Sequence, residues 1–182
     1  MKILKWLLII VVALAIMLIA FLYYMGLFSQ PKTYEAVMGP YTIAYESFTG
    51  PYAQTGPVFD RVHKAVMAAG IEPIRGLGIY YDDPSRVPAD KLRSDCGVII
   101  EEKYLTKFAP VSGQFKVKVI PKKASIVAEF PIRNMLSYMI GPMKCYPALM
   151  NYAGKKDYKV EMMYELYDEA QGKIFFVLAI AK

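Results

Sequence analysis

Between Trp6 and Phe28 the chain reads WLLIIVVALAIMLIAFLYYMGLF, 23 residues with no charged side chain, no proline and one glycine near the end. As a helix rising about 1.5 Å per residue it reaches roughly 34 Å, enough to cross a hydrocarbon core of about 30 Å with some tilt. A backbone in lipid must satisfy its own hydrogen bonds, so this length and composition read as a transmembrane helix. A buried core helix of this length would show a polar face, and this one shows none. A secretory signal has a shorter apolar region followed by small residues, whereas this run ends on Leu22, Tyr23, Tyr24, Met25, Leu27 and Phe28. Trp6 at one end and Tyr23 with Tyr24 at the other suit the interfacial aromatic belts, so the segment is expected to remain as a signal-anchor.

Lys2 and Lys5 precede the run, while Ser29, Gln30 and Pro31 after it are neutral and Lys32 is offset by Glu35. The positive-inside rule then predicts a single-pass membrane protein, with residues 1–5 in the cytoplasm and the C-terminal domain on the extracytoplasmic side. The lipid bilayer is thus its first expected partner. Residues 29–39 read as a short polar linker, and residues 40–182 as one domain of ordinary size.

The net charge is +6, with lysines clustered at Lys116, Lys118, Lys122 and Lys123 and at Lys155, Lys156 and Lys159. Such clusters make a solvated face or attract anionic lipid head groups. No nucleic-acid module is present, so no nucleic-acid partner is expected. Cys96 and Cys145 are either a disulfide or two buried thiols, and the sequence leaves both open. With one histidine, His63, and no cluster at ligand spacing, neither a metal site nor a cofactor is expected.

The domain alternates strands with helices. Tyr41–Phe48 is rich in aromatic and β-branched residues and predicts a strand. A helix follows, with Thr55 or Gly56 at its start, Pro57 in its first turn, Gly70 past its end, and an apolar stripe of Val58, Val62 and Val66 with Phe59 and Met67. Gly76–Tyr81 and Cys96–Ile100 predict two more strands. After the lysine-alternating Phe115–Ile120, the same order returns: strand at Ala124–Phe130, helix at Pro142–Ala153 with Pro147 expected to kink or restart it, strands at Val160–Tyr167 and Ile174–Ile180. Gly56-Pro57 and Gly141-Pro142 are 85 residues apart, and Tyr81-Asp82-Asp83 and Tyr167-Asp168-Glu169 are 86 apart. Two markers thus agree on one period. The expected fold class is α+β: the N-terminal transmembrane helix, then a duplicated β-α-β-β domain (an SHS2-like repeat, one copy about 40–102, the second about 115–182), with an antiparallel sheet and its helices on one face.

Helices on one face leave the other open as a groove. Strand period puts Glu161, Met163, Glu165 and Tyr167 on one face and Val160, Met162, Tyr164 and Leu166 on the other. The second set is the more apolar, which assigns it to the helices and leaves Glu165 in the groove. The matching first-repeat positions are Leu77, Ile79 and Tyr81. One carboxylate among Tyr81, Tyr167, Met163 and Ile79 suits an apolar cationic ligand, whereas a plain exposed strand glutamate would pair with a lysine. Asp82, Asp83 and Arg93 read as turn chemistry with a local ion pair, and His63 as a surface or packing residue.

The stretches GPYAQTGPVFDRVHKAVMAAGIEPIRGLGIYYDDPSRVPADKLRSDCGVII and FPIRNMLSYMIGPMKCYPALMNYAGKKDYKVEMMYELYD resemble GyrI-like small-molecule-binding domains, the effector-binding fold, and in particular a membrane-anchored animal branch that serves autophagy at the endoplasmic reticulum. The resemblance covers about residues 34–180. It implies a duplicated fold with a central cleft, and it puts the glutamate of the drug-binding E-x-Y motif on Glu165 with Tyr167. Some relatives hydrolyse strained cyclopropanoid compounds with a cleft glutamate, so Glu165 is the catalytic candidate if the chain is a hydrolase. No DNA-binding domain accompanies this one, and the disordered tail of the autophagy branch has no counterpart here, so neither role is expected to carry over. The expectation is a membrane-anchored domain binding a hydrophobic or cationic small molecule. The alternatives are a hydrolase of strained electrophiles, or a membrane-tethered scaffold for a protein partner of unknown kind.

Overall fold

The computed structural model describes residues 2–28 and 30–181; Met1, Ser29, Lys182 and the side chain of Lys2, which entered the reading of the flanks, lie outside them. Its first element, α1 (Lys2–Tyr24), ends earlier than Phe28 because Gly26 adopts φ +79°. The Gly26 N–H then bonds the Tyr23 carbonyl at 3.0 Å and the Leu27 N–H bonds the Leu22 carbonyl at 3.1 Å, which closes the helix. Residues Ile3–Tyr24 form a helix long and apolar enough to cross a membrane, with its apolar side chains exposed.

The domain consists of β1 (Thr33–Met38), β2 (Tyr41–Thr49), α2 (Gly56–Ala68), β3 (Arg75–Tyr80), β4 (Arg93–Ile100), a short α3 (Leu105–Phe108), β5 (Lys116–Ile120), β6 (Lys123–Pro131), α4 (Ser137–Lys155), β7 (Lys159–Asp168) and β8 (Lys173–Ala181). The eight strands form one antiparallel sheet in the order β1-β6-β8-β7-β3-β4-β2-β5. The two β-α-β-β units sit side by side in that order, as β6-β8-β7 and β3-β4-β2, and meet at the β7–β3 seam.

The stretch read as a linker is the first correction. Thr33–Met38 is β1, fully paired with β6 and tied to it by the Tyr34 hydroxyl, which donates to Glu129 Oε1 at 2.6 Å. β5 does the same for β2, so each repeat lends one strand to the edge of the other. Two residues link β1 to β2, and two link β5 to β6, although these strands lie near opposite ends of the sheet order. Links that short bridge the ends only if the sheet curls until its edges approach each other. Gly39 stands at that meeting: its φ is +88°, and a Cβ there would lie 2.9 Å from the Pro121 carbonyl oxygen.

Curling gives the sheet an inner face with a core of its own. Ile43, Leu77, Ile79, Ile99, Val127, Tyr164, Leu166 and Val177 pack there. The outer face carries both helices. α2 lays Val62 and Val66 on Ala44, Val98 and Ile100, with Phe108 of α3 in the same cluster. α4 lays Ile140, Cys145, Leu149 and Ala153 on Ile126, Ala128, Phe130, Phe176 and Leu178. It starts at Ser137, not Pro142, and runs unbroken through Pro142 and Pro147. Each proline deprives the carbonyl four residues earlier of its partner. Those carbonyls belong to Tyr138 and Met143, both on the exposed side of the helix. Cys96 and Cys145 are free and buried.

Candidate functional site

Register decides which side chains meet. In an antiparallel pair, directly opposed residues share a face. Gly76 faces Tyr167 and Gly78 faces Glu165 across the β3–β7 seam, so the first-repeat partners of the E-x-Y pair are Gly76, Gly78 and Tyr80, not Leu77, Ile79 and Tyr81. Met163 and Tyr167 pack in the α4 cluster, which places Glu165 on the helix face. This overturns the open-face assignment: the set Met162, Tyr164 and Leu166 is apolar because it lines the inner core of the curled sheet. A bulge between Val160 and Met162 breaks the alternation and returns Val160 to the face of Met163.

The expected cleft therefore falls between α2 and α4, over the seam, where Phe59 meets Tyr167 and Tyr146 meets Glu165. Its floor has two missing side chains, Gly76 and Gly78; a Cβ on Gly78 would come within 3.1 Å of the Phe59 ring of α2 and the Tyr80 hydroxyl. Aromatic rings occupy that space. Tyr80 stacks edge-on with Tyr52 at 4.8 Å between centroids, Tyr167 with Phe59 at 5.3 Å, and Tyr138 leans on Tyr167 at 5.8 Å.

Glu165 lies beneath them, 5% exposed. Tyr167 donates to its Oε2 at 2.7 Å, and Tyr146 reaches down from α4 to donate to Oε1 at 2.8 Å. The Tyr80 and Tyr167 hydroxyls are 2.8 Å apart. Since the Tyr167 proton is committed to Glu165, Tyr80 is the donor of that pair. The result is a chain of phenols, Tyr80 to Tyr167 to Glu165, capped by Tyr146. Among the described residues none of the ion pairs involves Glu165. Its negative charge is met by neutral donors only.

Burial pushes the Glu165 carboxyl up to about 7, against the two phenol bonds, which hold it down. Burial first, and the charge of Glu165 second, raise Tyr80 and Tyr167 well above the ordinary phenol value, and Tyr146 likewise. The carboxyl thus changes charge near neutrality while its neighbours stay protonated. Perturbed acids of this kind concentrate where proteins bind or react.

The remaining expected site residues separate. Met163 packs against the α4 cluster four residues before Tyr167 on β7, Ile79 is buried in the inner core, and Tyr81 lies past the end of β3. There Tyr81 donates to Asp95 Oδ2 at 2.6 Å, and Lys118 pairs with the same carboxylate. Sequence reading missed Tyr52, Phe59, Tyr80, Tyr138 and Tyr146. The Gly76-x-Gly78 alternation was the available signal, since two glycines on one face of a central strand mark a place where something else comes close. Asp82 pairs with Arg93 at 2.8 Å and Asp83 caps Ser85, which is turn chemistry, and His63 is exposed. Among the described residues no group of three or more His, Cys, Asp or Glu side chains is placed to hold a metal ion.

Two surface hollows, of about 430 and 470 Å³, lie elsewhere: one at Ile120, Lys123 and Tyr164, the other at Pro31, Met143 and Pro147. The first is lined by the buried Tyr164 phenol, but neither is lined by a buried carboxyl, so the chemistry points to Glu165.

Residues 37–153 match the model of the GyrI-like family, described as a small molecule binding domain. Over 148 residues the chain is 30% identical to testis-expressed protein 264 of Homo sapiens, covering 78% of this chain and 45% of that protein, so it spans about half the length of that relative. Among solved structures, the C-terminal domain of EcmrR superposes with a TM-score of 0.60 at 13% identity, over 84% of this chain and 98% of that one. SAV2435 bound to tetraphenylphosphonium superposes with a TM-score of 0.51 at 12% identity, over 82% of this chain and 94% of that one. At such identities the superpositions establish the fold.

Proposed function

The chain belongs to the GyrI-like small-molecule-binding domain family, and on that premise we propose that it is a membrane-anchored binding protein for hydrophobic cations. The observation that carries this reading is Glu165, a buried carboxyl held by phenols under an aromatic roof with no cation of its own. An aromatic-walled cleft with one uncompensated carboxylate favours a ligand that brings apolar surface and a positive charge together. That SAV2435, of the same fold, has been seen with tetraphenylphosphonium supports the class of ligand. A ligand reaches the carboxylate when Tyr146 or Tyr167 swings aside. α1 serves as the anchor, and the lysines at its N-terminal side favour a cytoplasmic N-terminus with the domain across the membrane. Cleavage of the domain by added protease in intact cells tests that orientation; cleavage only after lysis contradicts it.

The test of the site is titration of tetraphenylphosphonium into the full chain in nanodiscs, with Glu165→Gln as the reference for partition into lipid. Loss of a charge-assisted contact predicts binding weaker by about 1.5–3 kcal/mol in the variant. Equal affinity sinks the proposal.

A second reading is favoured by the same carboxyl lying near neutrality beside phenols that stay protonated. Glu165 would take a proton from water attacking a strained electrophile, and a tyrosine hydroxyl would bond the developing negative charge. Turnover that disappears in Glu165→Ala supports it. Absence of turnover at high protein concentration leaves binding alone.

A further inference from the structure

The end of α1 is built into the domain. Met25 is 0% exposed, packed in the core under α4, and Leu27 packs against the same cluster. Asn134 donates its side-chain N–H to the Met25 sulfur at 3.2 Å, and the Arg133 guanidinium lies 4.6 Å from the centre of the Tyr24 ring. With Gly26 stopping the helix and Met25 buried, no flexible tether separates the apolar helix from the domain. One corner of the domain is fixed at the last turn of α1.

That corner is apolar where it has no protein to touch. Met135 is 81% exposed, Met139 65% and Met143 68%, and Leu136 and Tyr138 beside them are also exposed. The opposite side of α4 carries Ile140, Cys145 and Leu149 into the core, so these side chains are not waiting to be packed by their own domain. A contiguous exposed apolar group of this kind marks an interaction site. Its neighbours include Arg133 and, near Tyr138, Glu169, so the group sits in no field of one sign.

We infer that this face, Met135, Leu136, Tyr138, Met139 and Met143, is seated in the interface of the bilayer that α1 crosses. The inference rests on the membrane reading of α1. If Tyr23 and Tyr24 lie at the head-group level, residues 133 and 134, in contact with that turn, lie there too, and residues 135–139 follow directly. Apolar side chains at that depth bury several ångströms into the head-group region. Because Tyr138 also leans on Tyr167, the seated face borders the cleft.

The experiment places single cysteines at Met135→Cys, Met139→Cys and Ala89→Cys in the full chain and reconstitutes each in phosphatidylcholine nanodiscs. Cys96 and Cys145 are 0% exposed and stay unlabelled by a polarity-sensitive thiol dye, with the unsubstituted chain as blank. Ala89 lies in the loop joining β3 to β4, at the strand ends away from Arg75 and Asp168, and is exposed. Labels at 135 and 139 are expected to be quenched by spin-labelled lipid and shielded from iodide by about threefold relative to position 89. Iodide access equal at all three positions, in protein that co-elutes with the discs, overturns the seating alone. Protein that fails to enter the discs overturns the membrane reading of α1 and the seating with it.

Discussion

The Tyr146 hydroxyl donates to Oε1 of Glu165 at 2.8 Å, joining the middle of α4 to the β7 strand at the centre of the sheet. With Tyr167 it is one of two bonds that offset the burial of the carboxyl. A hydrogen bond to a charged acceptor contributes about 1.5–3 kcal/mol. Tyr146→Phe is therefore expected to raise the Glu165 value by about one unit or more above its present figure of about 7, read from the carboxyl carbon by NMR titration. An unchanged midpoint would mean that Tyr146 does not hold the carboxylate in solution.

The same shift sets a pH dependence of stability. Glu165 rises from its ordinary 4.5 to about 7 on folding, so the protonated form is the one the fold prefers. Its contribution is complete below about pH 4.5 and is lost as the pH climbs through about 7. For a shift of this size the loss is on the order of 3 kcal/mol. Glu165→Gln has no such loss, so the difference in urea stability between variant and wild type moves in favour of the variant between pH 4.5 and 8. Aspartates held low by lysine or arginine slope the other way, but they are shared by both proteins and cancel. Parallel curves would contradict the burial of this charge.

Gly97 and Gly78 separate fold from cleft. A Cβ on Gly97 would stand 2.0 Å from the Ala44 carbonyl oxygen, against backbone that has nowhere to go. Gly97→Ala is expected to cost more than about 3 kcal/mol or to prevent folding. At Gly78 the obstacles are the rings of Tyr80 and Phe59, which turn. Gly78→Ala is expected to keep the fold at a cost of about 1–2 kcal/mol while narrowing the cleft floor. Thermal melts give the first comparison and tetraphenylphosphonium titration the second. Equal effects at both sites would argue that the seam glycines serve packing only.

Where the folded domain begins is open to a direct check. A fragment starting at Met25 keeps two core side chains that one starting at Pro31 lacks, and loss of a buried methionine costs about 2–5 kcal/mol. A fragment starting at Tyr41 also removes β1 and bares the edge of β6. Urea stability should fall in that order, and the shortest piece should aggregate. Equal stability of the first two would detach the end of α1 from the core.

Much of this architecture was legible in the chain. The duplicated order of elements followed from paired Gly-Pro steps and paired strand ends, because helix starts and turns have local chemistry that repeats with the fold. The faces of β7 were not legible. Tyr164 and Leu166 are as apolar as residues under a helix because the sheet curls, and the curl depends on β1 and β5 crossing between repeats, a long-range exchange with no local signature. Glu165 and Tyr167 stood out through the E-x-Y resemblance and through a face assignment that the structure reverses, whereas Tyr80 and Tyr146 needed the register and the helix placement to join them.

The most direct test is the affinity of the full chain for tetraphenylphosphonium at pH 6 and pH 8, beside Glu165→Gln. A carboxyl at about 7 is mostly neutral at the lower pH and mostly ionised at the higher, so wild-type binding should tighten by about tenfold. The variant should bind weakly at both. Wild-type affinity that is flat across that interval and equal to that of Glu165→Gln would contradict the account.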